Sequence, residues 1–287
     1  MMGPIVRAKD FLPQIQKKPF VTKQQVGEGL YLITAGVIKK VIISDYINAN
    51  FVRVIFDNPG MHTGIECLMA VYGYAMVIYC DFSGYSDMAI GMAKWVGFEI
   101  NVNFLSPYQS ASITEFWKRW HISLSSWLKD YLYIRWLGGN RKGKIRTKIN
   151  LIITMLLGGF WHGASWNFIT WGFIHACAFL PLLILNRNRK YLSDVVAQDR
   201  KWPNLKEFYQ MIITFGFVTF AWLFFRMTNL SDAIDYLHKI ATGLTHINMP
   251  TYRSFIFYPI ILILLLRSKS SSILNQMHFF YRKRLGY

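Results

Sequence analysis

"GGFWHGASWNFITWG", residues 158–172, sets His162 between Trp161 and Gly163 in one of the most apolar parts of the chain. On its N-terminal side, residues 135–148 hold six basic side chains (Arg135, Arg141, Lys142, Lys144, Arg146, Lys148) and no acidic one. On its C-terminal side the apolar run continues to about residue 185 and meets Arg187, Arg189 and Lys190. Basic loops mark the cytosolic side of a membrane protein, so the stretch between them reads as a hairpin with both ends in the cytosol. Fourteen residues separate Lys148 from His162. At ~1.5 Å of helical rise per residue that is ~21 Å, short of a hydrocarbon core of ~30 Å. The imidazole is therefore expected inside the membrane, near the apex of the hairpin.

An ionisable residue at such depth is a functional candidate, because its placement costs free energy unless it faces a cavity or a partner. Apolar surroundings favour the neutral ring, which has a nitrogen free to accept a proton, as a general base requires. A core histidine bonded to a neighbouring helix explains the spacing equally well. Gly158, Gly159 and Gly163 leave room beside the ring for a substrate or for another backbone. His175, in the same run, reads as packing.

The rest of the chain supports the membrane class. Of 287 residues, 53% are hydrophobic and 17% aromatic, and the mean hydropathy is +0.24. The formal charge of +17 lies between the apolar runs rather than on one face, which fits loops at an anionic leaflet and not a nucleic-acid binder. Cys67, Cys80 and Cys177 are isolated and read as small apolar residues. The N-terminus lacks the apolar core of a signal peptide.

Apolar runs cover 29–56, 65–80 with a continuation broken by Asp81, Asp87 and three glycines, then about 149–161, 166–185, 209–225 and 255–266. The expectation is an all-α, polytopic protein with about six or seven membrane-embedded helices plus interfacial amphipathic helices, forming one domain over 1–287. Residues 186–206 read as the long polar connection. In 112–134, Ile113, Phe116, Trp117, Trp120, Leu124, Trp127, Leu128 and Tyr131 recur at helical spacing. That pattern predicts a single amphipathic helix at the membrane interface, started by a Ser112/Glu115 capping box, with Lys118, Arg119 and Lys129 on its polar face. His121 falls at the edge of the apolar stripe.

"YCDFSGYSDMAIG" (79–91), "FWKRWHISLSSWLKDYLYI" (116–134), "LGGNRKG" (137–143) and "GGFWHGASWNFITWG" (158–172), with "GPIVRAKDFLPQI" (3–15), resemble the membrane-bound O-acyltransferase (MBOAT) family. Within it they are most similar to the bacterial branch of alginate O-acetyltransferases and teichoic-acid D-alanine transferases. The resemblance implies a bacterial inner-membrane, multi-pass enzyme moving an acyl group, acetyl by preference, from a cytosolic thioester onto hydroxyls of an exported polysaccharide. The donor would be acetyl-CoA or an acyl-carrier thioester, used as substrate with no bound cofactor. A periplasmic acetyltransferase or an acyl carrier protein would be the partner. It also implies that His162 is catalytic and His121 the second functional position. Trp161 and Asn167 are candidates for substrate or donor contact, and Arg141 and Lys142 for attracting the donor's phosphates or an acidic carrier. Asp81 and Asp87 are candidates for lining a cavity, with pairing to Lys94 or helix ends as the alternative. The family pattern Tyr-Ile-Pro-Leu-Gly-Gly is replaced here by Tyr133 to Gly139, one residue longer and without the proline. The chain matches the C-terminal portion of such enzymes, so it reads as a fragment or a shortened product.

Other chemistry fits less well. "GYSDM" (84–88) lacks the last glycine of a nucleophile elbow, and no HExxH motif is present. A metal site is not expected. The rival reading is a non-catalytic transporter or export-assembly subunit, in which Asp81 or Asp87 would matter more than His162.

Overall fold

The computed structural model describes residues 3–141, 143–185, 196 and 203–244, and every regular element among them is helical. Helix α1 (Ala8–Ile15) lies exposed, and α2 (Lys23–Val37) follows. A capping box between Thr22 and Gln25 starts α2. From α2 the chain runs on through π-helical segments Ile38–Asp45 and Asn48–Val52 into α3 (Arg53–Asp57) without leaving helical backbone angles. A second capping box, Thr63 with Glu66, starts α4 (Gly64–Trp95), which ends just before Gly97, at φ +82°.

Helix α4 is the spine of the fold. The α2–α3 helix runs antiparallel to it, and the crossing is set by small residues. A Cβ on Gly36 would lie 2.5 Å from the Gly84 carbonyl oxygen, and one on Gly91 would lie 2.6 Å from that of Gly29. Gly84 and Gly91, which read as breaks in the 81–97 stretch, therefore sit inside one unbroken helix, where they admit a neighbouring backbone, and Gly97 follows its end. Beside this seam Phe51, Val52, Ile55 and Phe56 pack on Cys67, Val71 and Val77, and close over Leu223 and Tyr236.

After α4 come α5 (Ile113–Arg119), α6 (Ile122–Trp127) with a π-helical continuation (Leu128–Trp136), α7 (Lys144–His162) and α8 (Trp166–Ile184). Helices α9 (Leu205–Arg226) and α10 (Leu230–Gly243) complete the described residues. The hairpin expected around His162 is present. Its two arms touch through glycine, since a Cβ on Gly159 would run into the Phe168 carbonyl and one on Gly172 into that of Met155. A second core joins Phe104, Phe116 and Trp120 to Trp171 and Phe179 of α8 and Val218, Trp222 and Phe224 of α9.

One expectation is met in part and a second needs correction. The described residues are all-helical, and three of their helices are long and apolar enough to cross a membrane: α4, α8 and α9. Run 29–56 carries Lys39, Lys40, Asp45 and Arg53, run 149–161 belongs to a helix that begins among Lys144, Arg146 and Lys148, and run 255–266 lies outside the described residues. Most of the polar connection 186–206, with Arg187, Arg189 and Lys190, also lies outside them.

The single interfacial helix over 112–134 is the second. Ser112 does cap α5, its Oγ accepting from Glu115 N–H. The helix then stops at Trp120, and His121 adopts a left-handed backbone (φ +43°, ψ +55°) before α6 begins. Phe116, Trp120 and Leu124 are buried, and so is Arg119, which was expected on the polar face. Arg119 is held there by Glu115 at 2.6 Å. The first part of this segment, through Leu124, is an internal layer of the fold, whereas no residue of Leu128–Trp136 is buried and Trp127, Tyr131 and Ile134 are exposed.

On the outside, Leu30, Tyr31, Val41 and Ile42 of the first long helix, Phe173 of α8, and Ile212, Ile213 and Phe220 of α9 are exposed. Apolar side chains facing outward on these helices are what a lipid environment accepts.

Candidate active site

His162 is the last residue of α7, and Gly163 turns the chain into α8. That turn needs a glycine. With φ +157°, a Cβ at Gly163 would come 2.8 Å from the Phe168 ring. The His162 ring packs edge-on to Trp171 and Phe225, with centroids at 5.3 and 5.0 Å, and lies near Phe168 at 6.1 Å. Three helices, α7, α8 and the end of α9, thus enclose the imidazole with aromatic surface. It is half-buried, and its nitrogens have no hydrogen-bond partner among the described residues.

His121 reaches the same place from another direction. Its ring is 3% exposed and stands edge-on to Phe82 of α4 at 4.6 Å. Phe82 is near the middle of the longest candidate span. Trp161 contacts both imidazoles, at 6.3 Å from His121 and 4.9 Å from His162. His121 Nδ1 is buried without a hydrogen-bond partner among the described residues. A left-handed non-glycine residue costs of order 1–3 kcal/mol and persists only where its surroundings fix it.

The remaining candidates separate. Asp87 pairs with Lys39 at 2.6 Å, and Asp81 with Lys40 at 2.6 Å, while Lys40 also holds Asp45 at 2.8 Å. Their partners come from the first long helix and not from Lys94, which binds Glu28 at 2.6 Å. Asn167 is buried, and its Nδ2 donates to the Met227 carbonyl at 2.6 Å, tying the start of α8 to the end of α9. Arg141 is exposed beyond the glycine turn, and Lys142 lies outside the described residues. That turn has Gly138 and Gly139 at φ +86° and +58°, and Asn150 Nδ2 donates to the carbonyls of Leu137 and Gly139.

His175 is fully buried among Phe116, Trp117, Trp171 and Phe217, as a packing residue would be, yet neither ring nitrogen has a hydrogen-bond partner among the described residues. Sequence reasoning missed Phe82, Trp171 and Phe225 as neighbours of the two histidines. Aromatics in apolar runs carry no mark of which ring they face.

A family model for the membrane-bound O-acyltransferase (MBOAT) family matches residues 1–230. The chain is 39% identical over 248 residues to a peptidoglycan O-acetyltransferase of Helicobacter pylori, covering 86% of this chain and 44% of that protein. It is 43% identical over 233 residues to a protein of Pseudomonas putida named probable alginate O-acetylase AlgI, covering 80% of this chain and 44% of that one. Similarity extends to a teichoic acid D-alanyltransferase of Bacillus subtilis, 32% identical over 236 residues, which are 78% of this chain and 57% of the relative. The chain spans about half the length of the curated relatives it matches. With the match extending from the first residue through α9, the chain belongs to the MBOAT family of membrane proteins.

Proposed function

We propose that the chain forms the catalytic part of a membrane O-acyltransferase that moves an acyl group from a thioester to hydroxyls of an exported polysaccharide, with His162 as general base. The observation that carries this reading is the His162 ring at the apex of the α7–α8 hairpin, enclosed by Phe168, Trp171 and Phe225 with no hydrogen-bond partner among the described residues. No neighbour in that set occupies the nitrogen that must receive a proton. The acceptor hydroxyl gives its proton to that nitrogen as its oxygen bonds to the thioester carbonyl carbon. The C–S bond then breaks, and the departing thiolate takes the proton from the imidazolium. Such a base supplies typically ~10² to 10⁴ in rate, and the rest comes from positioning and from polar groups at the developing oxyanion.

His121, next to Trp161, orients the donor or donates a hydrogen bond in this scheme. Acetyl is favoured over alanyl because the relatives named for O-acetyl transfer are 39% and 43% identical, against 32% for the D-alanyl one. All three names denote modification of a bacterial envelope or exported polymer, which supports placement in a bacterial inner membrane. The exposed Arg141, with Lys142 and Lys144, suits the phosphates of coenzyme A or an acidic carrier on the cytosolic side. The transport reading loses its main support, because Asp81 and Asp87 are each paired with a lysine. The test is the O-acetyl content of extracellular polysaccharide in cells lacking their own copy, with and without the complete reading frame that contains this chain. Restored acetylation supports the reading, and polymer that stays unacetylated despite membrane-inserted protein contradicts it.

A further inference from the structure

The backbone at His121 is left-handed, and His121 is the N-cap of α6 without using its side chain as a cap. A helix start ordinarily takes its cap from that residue. Here the cap arrives from elsewhere. The Ile122 N–H donates to the Asn103 carbonyl at 2.9 Å, and the Ser123 N–H and Oγ–H donate to Asn103 Oδ1 at 3.2 and 2.6 Å. On the other side of the break, the Leu105 N–H donates to the Arg119 carbonyl at 3.0 Å and Arg119 Nη1 donates to the Leu105 carbonyl at 3.2 Å. Residues 103–105 thus grip the chain both before and after Trp120–His121. The Ile5 N–H donates to Ser123 Oγ at 2.9 Å and completes the chain of bonds.

We infer that Asn103 is a positioning residue for His121, capping α6 in place of the histidine and so releasing the imidazole to stand between Phe82 and Trp161. The proposal rests on the reading of His121 as a working residue of the transferase. Asn103 is 1% exposed, so its part in any reaction is played through the bonds it accepts. All three of its bonds with α6 end on its oxygen atoms, and its Nδ2 has no hydrogen-bond partner among the described residues. An aspartate at this position retains the accepting oxygen, and its charge is welcome at a helix start.

Four variants in the complete reading frame test this, each scored for O-acetyl transfer and for folded, membrane-inserted protein: Asn103→Ala, Asn103→Asp, Ser123→Ala and His121→Ala. Misplacing a catalytic group by ~1 Å costs up to ~100-fold. The expected result is a loss of ~10-fold to 100-fold for Asn103→Ala at unchanged folded protein, recovery of most activity in Asn103→Asp, and a smaller loss for Ser123→Ala. Full activity in Asn103→Ala with an inactive His121→Ala overturns the role of Asn103 alone. Full activity in His121→Ala overturns the reading of His121, and the positioning role with it. A folded Asn103→Asp as inactive as Asn103→Ala also refutes the proposal, since the amide nitrogen would then be the group that matters. If Asn103→Ala fails to fold, an unimpaired Ser123→Ala refutes it.

Discussion

The indole of Trp161 stands edge-on to the imidazole of His121 with ring centroids 6.3 Å apart, although forty residues separate them in the chain. The same indole touches its neighbour His162 at 4.9 Å. It is the wall shared by the two histidines. Trp161→Ala removes that wall and lowers acyl transfer by ~10-fold to 100-fold through misplacement of one or both rings. Trp161→Phe keeps an aromatic surface and is expected to retain more activity. Initial rates on a fixed amount of folded protein measure both, and an Ala variant with the unmodified rate contradicts the shared role.

The glycine seam between the first long helix and α4 yields a prediction about stability. Gly84→Ala places a methyl group 2.7 Å from the Gly36 carbonyl oxygen, an overpacking expected to cost ~1–3 kcal/mol. Gly27→Ala, on α2, meets nothing within 4 Å, and the gain in helix propensity is up to ~1 kcal/mol. Thermal unfolding in detergent should therefore move in opposite directions for the two. Equal midpoints would mean that the helices do not approach at Gly84.

These glycines also show what the sequence conceals. In one dimension, Gly84 and Gly91 read as interruptions of an apolar run, because the backbone that comes close to them belongs to Gly36 and Gly29, far away in the chain. The α7–α8 hairpin and the end position of His162 were legible, since basic clusters and an apolar period bracket them locally. The break at His121 was not. The apolar period continues through Trp120 and Leu124 as if one helix ran on, and the bonds that stop it come from Asn103 and Leu105. Charge partners were equally hidden: Asp87 lies seven residues before Lys94 but binds Lys39, forty-eight residues away.

The Lys39–Asp87 pair joins two helices with side chains 31% and 22% exposed. Removing one partner strands the other charge, at a cost below the ~3–5 kcal/mol of fully buried pairs. Lys39→Met and Asp87→Leu are each expected to lower the unfolding midpoint, and the double variant to recover most of the loss. Stability of the double variant at or below the sum of the two losses would show that the pair is not coupled.

Asn167, a candidate for substrate contact, ties two helices through its Nδ2, while its Oδ1 is buried without a hydrogen-bond partner among the described residues. Asn167→Ala removes the bond to the part-buried Met227 carbonyl, at about 1 kcal/mol. Activity per folded molecule should fall less than the amount of folded protein. Normal folded yield with abolished activity would return Asn167 to direct substrate contact.

The central claim is that His162 accepts the proton of the attacking hydroxyl, and the most direct measurement is acyl transfer by His162→Ala in the complete reading frame, normalised to folded protein in the membrane. The account predicts a loss of ~10² to 10⁴-fold with normal folding, because the ring has no hydrogen-bond partner among the described residues whose loss would unfold the hairpin. Transfer at the unmodified rate by folded His162→Ala would contradict it.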